Sequence, residues 1–267
     1  MIKKHYGLLG KNINYSFSPI LHKEIFKVLK ENYNYSLIDI EINKIEDLIN
    51  DIKENKIQGI NVTIPYKEEI MPHLDYITSK AKKIGAVNTV YKDNKSIIGD
   101  NTDYDGFLKT IEKMNLDIKN KNIAILGSGG SAKAILQVIN DLCGIPYIVS
   151  RNKEDTQQKF KNIKVINYKE LENLKGYLII NCTPLGNKNN PNLSPVSEKV
   201  CKNWKFAIDL NYIPEISIFL SYFKPDCRSN GLYMLVSQGV QSQIIWQNKN
   251  IALNEIYDII YKKVYCK

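Results

Sequence analysis

Residues 59–67 read GINVTIPYK, where Ile60, Val62 and Ile64 alternate with Asn61 and Thr63 before a proline delivers the chain to Lys67. A strand sends successive side chains to opposite faces, so this one would carry an amide, a hydroxyl and then an ammonium toward its carboxyl end. Ligands of open parallel sheets bind beyond that end. Further polar groups follow at Asn88 in GAVNT and at Asn101 and Asp103 in GDNTD, where Asp103 is also placed to cap a helix beginning at Tyr104. Upstream, Ser16 and Ser18 stand immediately before a helical pattern. Two hydroxyls beside the free N–H groups of a first turn suit a carboxylate or a phosphate. Ser18 also reads as a simple N-cap, with Pro19 at the first helical position.

A second chemistry is legible in IAILGSGGSAKAILQVINDL, residues 123–142, an apolar strand that breaks into glycines and re-forms as a helix. Gly127, Gly129 and Ala132 satisfy G-x-G-x-x-A: the first glycine makes the turn, the second admits a pyrophosphate, and the small third residue lets helix pack on strand. The next apolar run, IPYIVS, ends at Ser150 and is followed by Arg151 and Asn152. Enzymes that take NAD place an acid near this point for the ribose 2′-hydroxyl, whereas an arginine suits a 2′-phosphate. Arginine is scarce in this chain, with Arg151 and Arg228 its two examples, so its presence here favours NADP over NAD.

The elements that must position these groups alternate between strand and helix patterns. YGLLG, SPILHKEIFKVLKEN, YSLIDI, KIEDLINDIKEN and GINVTI form one such series, with Leu21, Ile25, Val28 and Leu29 at helical spacing. AVNTVYKDNKSIIGDNTD reads as two short strands joined at Asp93 and Asn94, followed by the helix YDGFLKTIEKMN. A second series then runs through NIAILG, SAKAILQVINDL, IPYIVS, KVIN, YLIINC and FAIDL. The expected fold is therefore α/β with two lobes and a cleft between them: a parallel-rich substrate domain and a Rossmann-type, doubly wound dinucleotide-binding domain. The last segments, GLYMLVSQGVQSQIIWQ and ALNEIYDIIYKKVYC, are helical in pattern, and periodicity alone does not assign them to a lobe.

Composition narrows the function classes. The 267 residues make two domains the better expectation, and 43% hydrophobic content indicates a folded chain. No run of about 18 apolar residues and no signal-peptide pattern is present, which predicts a cytoplasmic protein without membrane contact. Five scattered cysteines and three histidines without ligand spacing argue against a disulfide framework and against a metal site. The net charge of +9 comes from lysines mixed with acids along the whole chain, which is a solvated surface and not a nucleic-acid patch.

The chain resembles the shikimate dehydrogenases along nearly its whole length. The resemblance is carried in order by Ser16-Phe17-Ser18-Pro19 with His22, Asn61-Val62-Thr63-Ile64-Pro65-Tyr66-Lys67, Gly85-Ala86-Val87-Asn88-Thr89 and Gly99-Asp100-Asn101-Thr102-Asp103. It continues through Gly127-Ser128-Gly129-Gly130-Ser131-Ala132, Asn181-Cys182-Thr183-Pro184-Leu185-Gly186, Asp209-Leu210-Asn211-Tyr212, and Asn230-Gly231 with Met234-Leu235 and Gln238-Gly239. It implies NADP-linked interconversion of 3-dehydroshikimate and shikimate, a step of aromatic amino-acid synthesis. By position, Ser16, Ser18 and Tyr212 would hold the substrate carboxylate. Thr63, Asn88, Asp103 and Gln238 would address the ring hydroxyls, and Lys67 with Asp103 would form the catalytic pair, Lys67 supplying a proton and a positive charge to the reduced carbonyl oxygen.

The implied cofactor set is Gly127, Ser128, Gly129, Gly130, Ser131 and Ala132, then Ser150, Arg151 and Asn152, with Thr183 and Gly231. The implied domains are 1–103 with 237–267 for substrate and 104–236 for NADP(H), in a monomer or homodimer. The chain departs from the family at Tyr15, where His is usual, at Lys23, where Asn is usual, and at Ser150-Arg151-Asn152, where Asn-Arg-Thr is usual. Two other readings are a quinate/shikimate dehydrogenase that also uses NAD, and a non-catalytic NADP-sensing module of the same fold. Ser16 with Ser18 favours the narrower enzyme, and Lys67 with Asp103 argues against the module.

Overall fold

In the computed structural model, which describes residues 4–14 and 16–266, the strand patterns of the first series become β1 (His5–Leu9), β2 (Asn34–Ile38), β3 (Gly59–Val62), β4 (Tyr76–Ile77), β5 (Thr89–Asp93) and β6 (Ser96–Asp100). They pair in the order β2-β1-β3-β5-β6-β4. The β2, β1 and β3 strands are parallel, as crossover helices require, while β5 runs antiparallel to both β3 and β6. The β5–β6 hairpin closes on Asp93 opposite Ser96, with Asn94 in the left-handed conformation at φ 52° that a two-residue loop demands. The short β4, parallel to β6, is an element the sequence patterns did not announce.

The core of this sheet explains its helices. In the helix Ile45–Lys53, the buried side chains Ile45, Leu48, Ile49 and Ile52 repeat at three and four residues and pack with Leu9, Ile60, Val62, Val87 and Val90. Each such burial is worth about 1.5–3 kcal/mol. The strand β3 is buried on both faces, so Asn61, at 4% exposure, does not look to solvent as a two-faced strand would have it. The apolar alternation also stops at Val62: the chain turns out of the sheet, and Ile64 is 68% exposed.

The second series forms β7 (Asn122–Leu126), β8 (Ile145–Val149), β9 (Lys164–Ile166), β10 (Gly176–Asn181), β11 (Trp204–Asp209) and β12 (Arg228–Asn230). All pair in parallel, in the order β12-β11-β10-β7-β8-β9. In chain order this is 3-2-1-4-5-6, the doubly wound arrangement, which reverses direction between β7 and β10. Strand β12 is three residues long and was absent from the expected series.

The chain divides into two units, Met1–Gly106 with Leu235–Lys267, and Phe107–Met234. Both crossings fall inside helices, Thr102–Lys113 and Leu232–Gln247, so no loop marks them. The helix Leu232–Gln247 buries residues on several sides, including Val236, Ser237, Val240, Ser242 and Gln243, so its periodicity points to no single packing face. In the first unit Trp246 stacks on Tyr6 with ring centroids 5.0 Å apart, and its indole N–H donates to the carbonyl of Val90 at 3.2 Å. Among the described residues no helix is long and apolar enough to cross a membrane.

Candidate active site

Four connections leave the first unit's sheet on one side, because β5 runs antiparallel to β3 and so starts where β3 ends. They are the segments after β1, after β3, before β5 and after β6. They carry Ser16 and Ser18, then Thr63 and Lys67, then Asn88, and finally Asp103. Topology therefore gathers on one edge groups that are far apart in the chain.

At the centre of that edge the Lys67 ammonium donates to Asp103 Oδ2 at 2.5 Å, with both side chains 11% exposed. Asn88 donates from Nδ2 to the other oxygen, Oδ1, at 2.9 Å. Lys67 is held in the short helix Tyr66–Glu69, and its backbone carbonyl accepts the N–H of Val87 at 2.8 Å, which ties it to the Asn88 segment. Asp103 does not cap its helix. The helix begins at Thr102, and Asn101 Oδ1 accepts the N–H groups of Asp103 at 3.1 Å and Tyr104 at 3.4 Å. Because Asn101 satisfies the first turn, the Asp103 carboxylate is left to Lys67 and Asn88.

Ser18 is likewise not the cap of its helix. The helix starts at Ser18 itself, with Phe17 in the cap position and no side chain capping it. Ser16 Oγ accepts the Ser18 N–H and donates to Ser18 Oγ, both at 3.2 Å, so the two hydroxyls act as a pair. His22, one turn on, is fully buried and stacked on Tyr35 at 4.0 Å, and burial pushes its pKa down to about 3. Thr63 follows the end of β3 and is half-buried, while Lys23 is exposed. Gln238 is half-buried and donates to the Leu235 carbonyl at 2.9 Å. Tyr15 lies outside the described residues. Tyr212, half-buried on the segment after β11, belongs to the other unit.

In that second unit the glycine loop follows β7 at the point where strand order reverses. Gly127 has φ +103°, a conformation side chains resist, and a Cβ there would lie 3.4 Å from Thr183 Cγ2 on the loop after β10. Gly129 occupies the cap position of the helix Gly130–Asp141, no side chain caps that helix, and a Cβ on Gly129 would meet nothing within 4 Å. Open space above uncapped N–H groups fits a pyrophosphate. Ser128, Gly130 and Ser131 are half-buried around this opening, and Ala132 is buried against the sheet.

Arg151 follows β8, exposed and without a hydrogen bond or ion pair among the described residues. Its neighbours are engaged locally. Ser150 Oγ donates to the Asn152 carbonyl at 3.1 Å and accepts from Thr156 Oγ1 at 2.8 Å, while Asn152 caps the helix Lys153–Lys159. Thr183 Oγ1 donates to Asn181 Oδ1 at 2.7 Å. A Cβ on Gly231 would come 2.0 Å from the Leu210 carbonyl oxygen, so the backbone approach there excludes any other residue.

Sequence reasoning assigned no role to Asp209, which anchors the two loops beside the switch point. Its carboxylate accepts from Ser217 Oγ at 2.5 Å and from Asn181 Nδ2, Asn211 N and Asn211 Nδ2 at 3.0 Å each. Asn211 also donates to the carbonyls of Thr183 and Leu185 at 3.0 Å. Burial nonetheless raises the Asp209 pKa to about 6, the hydrogen bonds opposing it. The available signal was that Asn181 and Asp209 each end a strand, and they are register partners. Thr89, Thr102 and Ser242 were also missed as a group, since three hydroxyls from distant segments have no common motif.

Fold and site together define a two-unit α/β protein, one unit Rossmann-type and the other carrying a buried lysine–aspartate pair. Residues 8–90 match the shikimate dehydrogenase substrate binding domain. The chain is 42% identical over 245 residues to the shikimate dehydrogenase (NADP(+)) of Clostridium botulinum, covering 90% of this chain and 95% of that one. Among solved structures it is similar to a chorismate mutase/shikimate 5-dehydrogenase fusion protein from Clostridium acetobutylicum, at 41% identity and a TM-score of 0.94 over 98% of this chain and 99% of that one. It is also similar to the shikimate 5-dehydrogenase of Thermus thermophilus in complex with NADP(H) and shikimate, at 25% identity and a TM-score of 0.84 over 96% and 97% of the two chains. The chain belongs to the shikimate dehydrogenase family.

Proposed function

We propose that this chain is an NADP-dependent shikimate dehydrogenase that reversibly reduces 3-dehydroshikimate to shikimate, acting in the cytoplasm as a monomer or homodimer without nucleic acid. The observation that carries the reading is the buried Lys67–Asp103 pair, held by Asn88, on the substrate edge of the first unit. The proposed substrate domain is 1–103 with 237–267, and the proposed cofactor domain is 104–236.

When bound, NADPH supplies the hydride. Lys67 keeps a proton and a positive charge for the oxygen of the reacting carbonyl, and Asp103 fixes the ammonium in place. Thr63, Asn88 and Gln238 select the ring hydroxyls. Ser16, Ser18 and Tyr212 hold the carboxylate, a hydroxyl-lined helix start being suited to an anion. The turn at Gly127–Ala132 receives the pyrophosphate, with Thr183 and Gly231 beside the rest of the cofactor. Arg151 pairs with the 2′-phosphate, and Ser150 and Asn152 shape the turn that presents it.

A spectrophotometric assay with shikimate or quinate, each with NADP+ or NAD+, tests this reading. Turnover of shikimate with NADP+ should exceed every other combination by an order of magnitude or more. Comparable rates with quinate or with NAD+ would replace it with a broader dehydrogenase, and tight NADPH binding without turnover would remove the enzymatic assignment.

A further inference from the structure

Beyond the last registered pair of β1 and β3, Leu9 beside Val62, the two chains stay together for one more step. The Thr63 N–H donates to the Leu9 carbonyl at 2.8 Å and the Lys11 N–H to the Ile64 carbonyl at 3.2 Å, which sets Gly10 against Thr63. A Cβ on Gly10 would lie 2.6 Å from Thr63 Cγ2, 2.6 Å from Ile13 Cγ2 and 3.3 Å from the Ile64 carbonyl oxygen. Two methyl groups therefore fill the space that any other side chain would need. Gly10 is not in the left-handed conformation, so the requirement for glycine is one of space alone.

Both methyl groups are bonded directly to a branched Cβ, and each moves only when its χ1 changes. Ile13 is 2% exposed and packed with Tyr6, Leu8, Phe26 and Tyr35, which leaves it no room to turn. Thr63 is half-buried, so its rotamer is the one that the notch at Gly10 decides. The Thr63 backbone is fully engaged, since its carbonyl also accepts the Tyr66 N–H at 2.9 Å. Its hydroxyl has no hydrogen-bond partner among the described residues. With the methyl seated over Gly10, the staggered wells leave that hydroxyl a single direction.

We propose that Gly10 is a positioning residue for the substrate: it seats the Thr63 methyl and thereby fixes the rotamer that presents the Thr63 hydroxyl to a ring hydroxyl. This inference rests on the proposed reduction of 3-dehydroshikimate, in which Thr63 helps to select the ring hydroxyls. In Gly10→Ala the new Cβ is walled by Ile13 on one side and finds relief only toward Thr63. The threonine then turns to another staggered well, and its hydroxyl leaves the substrate.

The test uses the full chain, with steady-state reduction of 3-dehydroshikimate by NADPH and with the three-bond couplings of Thr63 Cγ2 to N and C′, which read χ1 by NMR without any ligand. The wild type should show the couplings of one staggered rotamer. Gly10→Ala should shift them and raise the KM for 3-dehydroshikimate about fivefold, the loss of one hydrogen bond, with the KM for NADPH unchanged. Thr63→Ser keeps the hydroxyl but loses the seated methyl, so three wells open and the KM for 3-dehydroshikimate should rise about threefold. In the Gly10→Ala background the same Thr63→Ser change should instead lower that KM, because no methyl is left to collide with the new Cβ. A merely structural role for Gly10 predicts no such reversal of sign. Couplings averaged over several rotamers in the wild type would overturn the inference, as would an unchanged KM in Thr63→Ser or a double variant no better than Gly10→Ala. If Gly10→Ala does not fold, the wild-type couplings and Thr63→Ser decide: one rotamer with a raised KM supports the seat, and any other result refutes it. Absence of turnover in the wild type would instead refute the proposed reaction, and the couplings would then decide alone: a shift in Gly10→Ala supports the seat, and equal couplings refute it.

Discussion

The Lys67 side chain is one of many lysines in the chain, and its environment sets it apart. Most of the ion pairs join side chains with substantial exposure, as in Lys44–Asp47 at 61% and 67%, and these are worth little. Lys67 and Asp103 are both 11% exposed, so removing one partner strands a buried charge at a cost of about 3–5 kcal/mol. Lys67→Ala should lower kcat by about 10²–10⁴-fold while the Kd for NADPH, measured by fluorescence titration, stays within a factor of two or so. A variant that keeps normal kcat would take the ammonium out of the mechanism. Arg151 offers the converse case, an exposed cation with no partner among the described residues. Arg151→Ala should raise the KM for NADP+ roughly 30-fold, the loss of a charge-assisted pair, and leave that for NAD+ nearly unchanged. Equal losses with both cofactors would dismiss the 2′-phosphate assignment. Arg151 was legible because arginine is scarce in this chain and Lys67 because the ordered motifs around it resemble a family, whereas the role of Asn101 was not: Asn and Asp both cap helices, and only backbone geometry separates them.

At the scale of elements, the ends of strands and helices carry the site, and each end has a specific support. Asn101 caps the helix that presents Asp103, so Asn101→Ala should cost about 1 kcal/mol or somewhat more in urea unfolding, because its two N–H partners are left unsatisfied. No loss of stability would mean that the cap is dispensable. Asp209 supports the loops after β10 and β11. Its folded pKa of about 6 lies above the ordinary aspartate value of 3.8, so its contribution to stability is present below pH 4 and is lost as pH rises through 6. The stability of the wild type relative to Asp209→Asn should therefore fall by up to roughly 3 kcal/mol between pH 4 and pH 7. A pH-independent difference would contradict the burial argument. The strand and helix series were readable from alternation and 3.6-residue spacing, since those patterns report burial against a neighbouring layer. The two-residue β4 and three-residue β12 were not, because so few positions carry no period.

For the whole molecule, two units with separate sheets and separate cores predict separable ligand responses. NADPH should slow backbone hydrogen exchange first within 107–234, most strongly around 127–132, and shikimate should do so within 1–106, around 61–67 and 101–105. Each ligand at a hundredfold excess over its Kd adds about 2.7 kcal/mol to the state that binds it. Protection by NADPH confined to 1–106 would refute the assignment of the cofactor to the glycine-turn unit.

By itself the sequence determined the two alternating series, the glycine turn between strand and helix, and the membership that many ordered motifs share, because each depends on residues close together in the chain. Tertiary structure alone decided that Asn61 is a buried support, that Asn101 and not Asp103 caps its helix, and that Ser242 meets Asn61 in the interior. Those facts depend on which segments the sheet brings side by side, and hydrogen-bond partners up to 181 positions apart leave no local pattern to read.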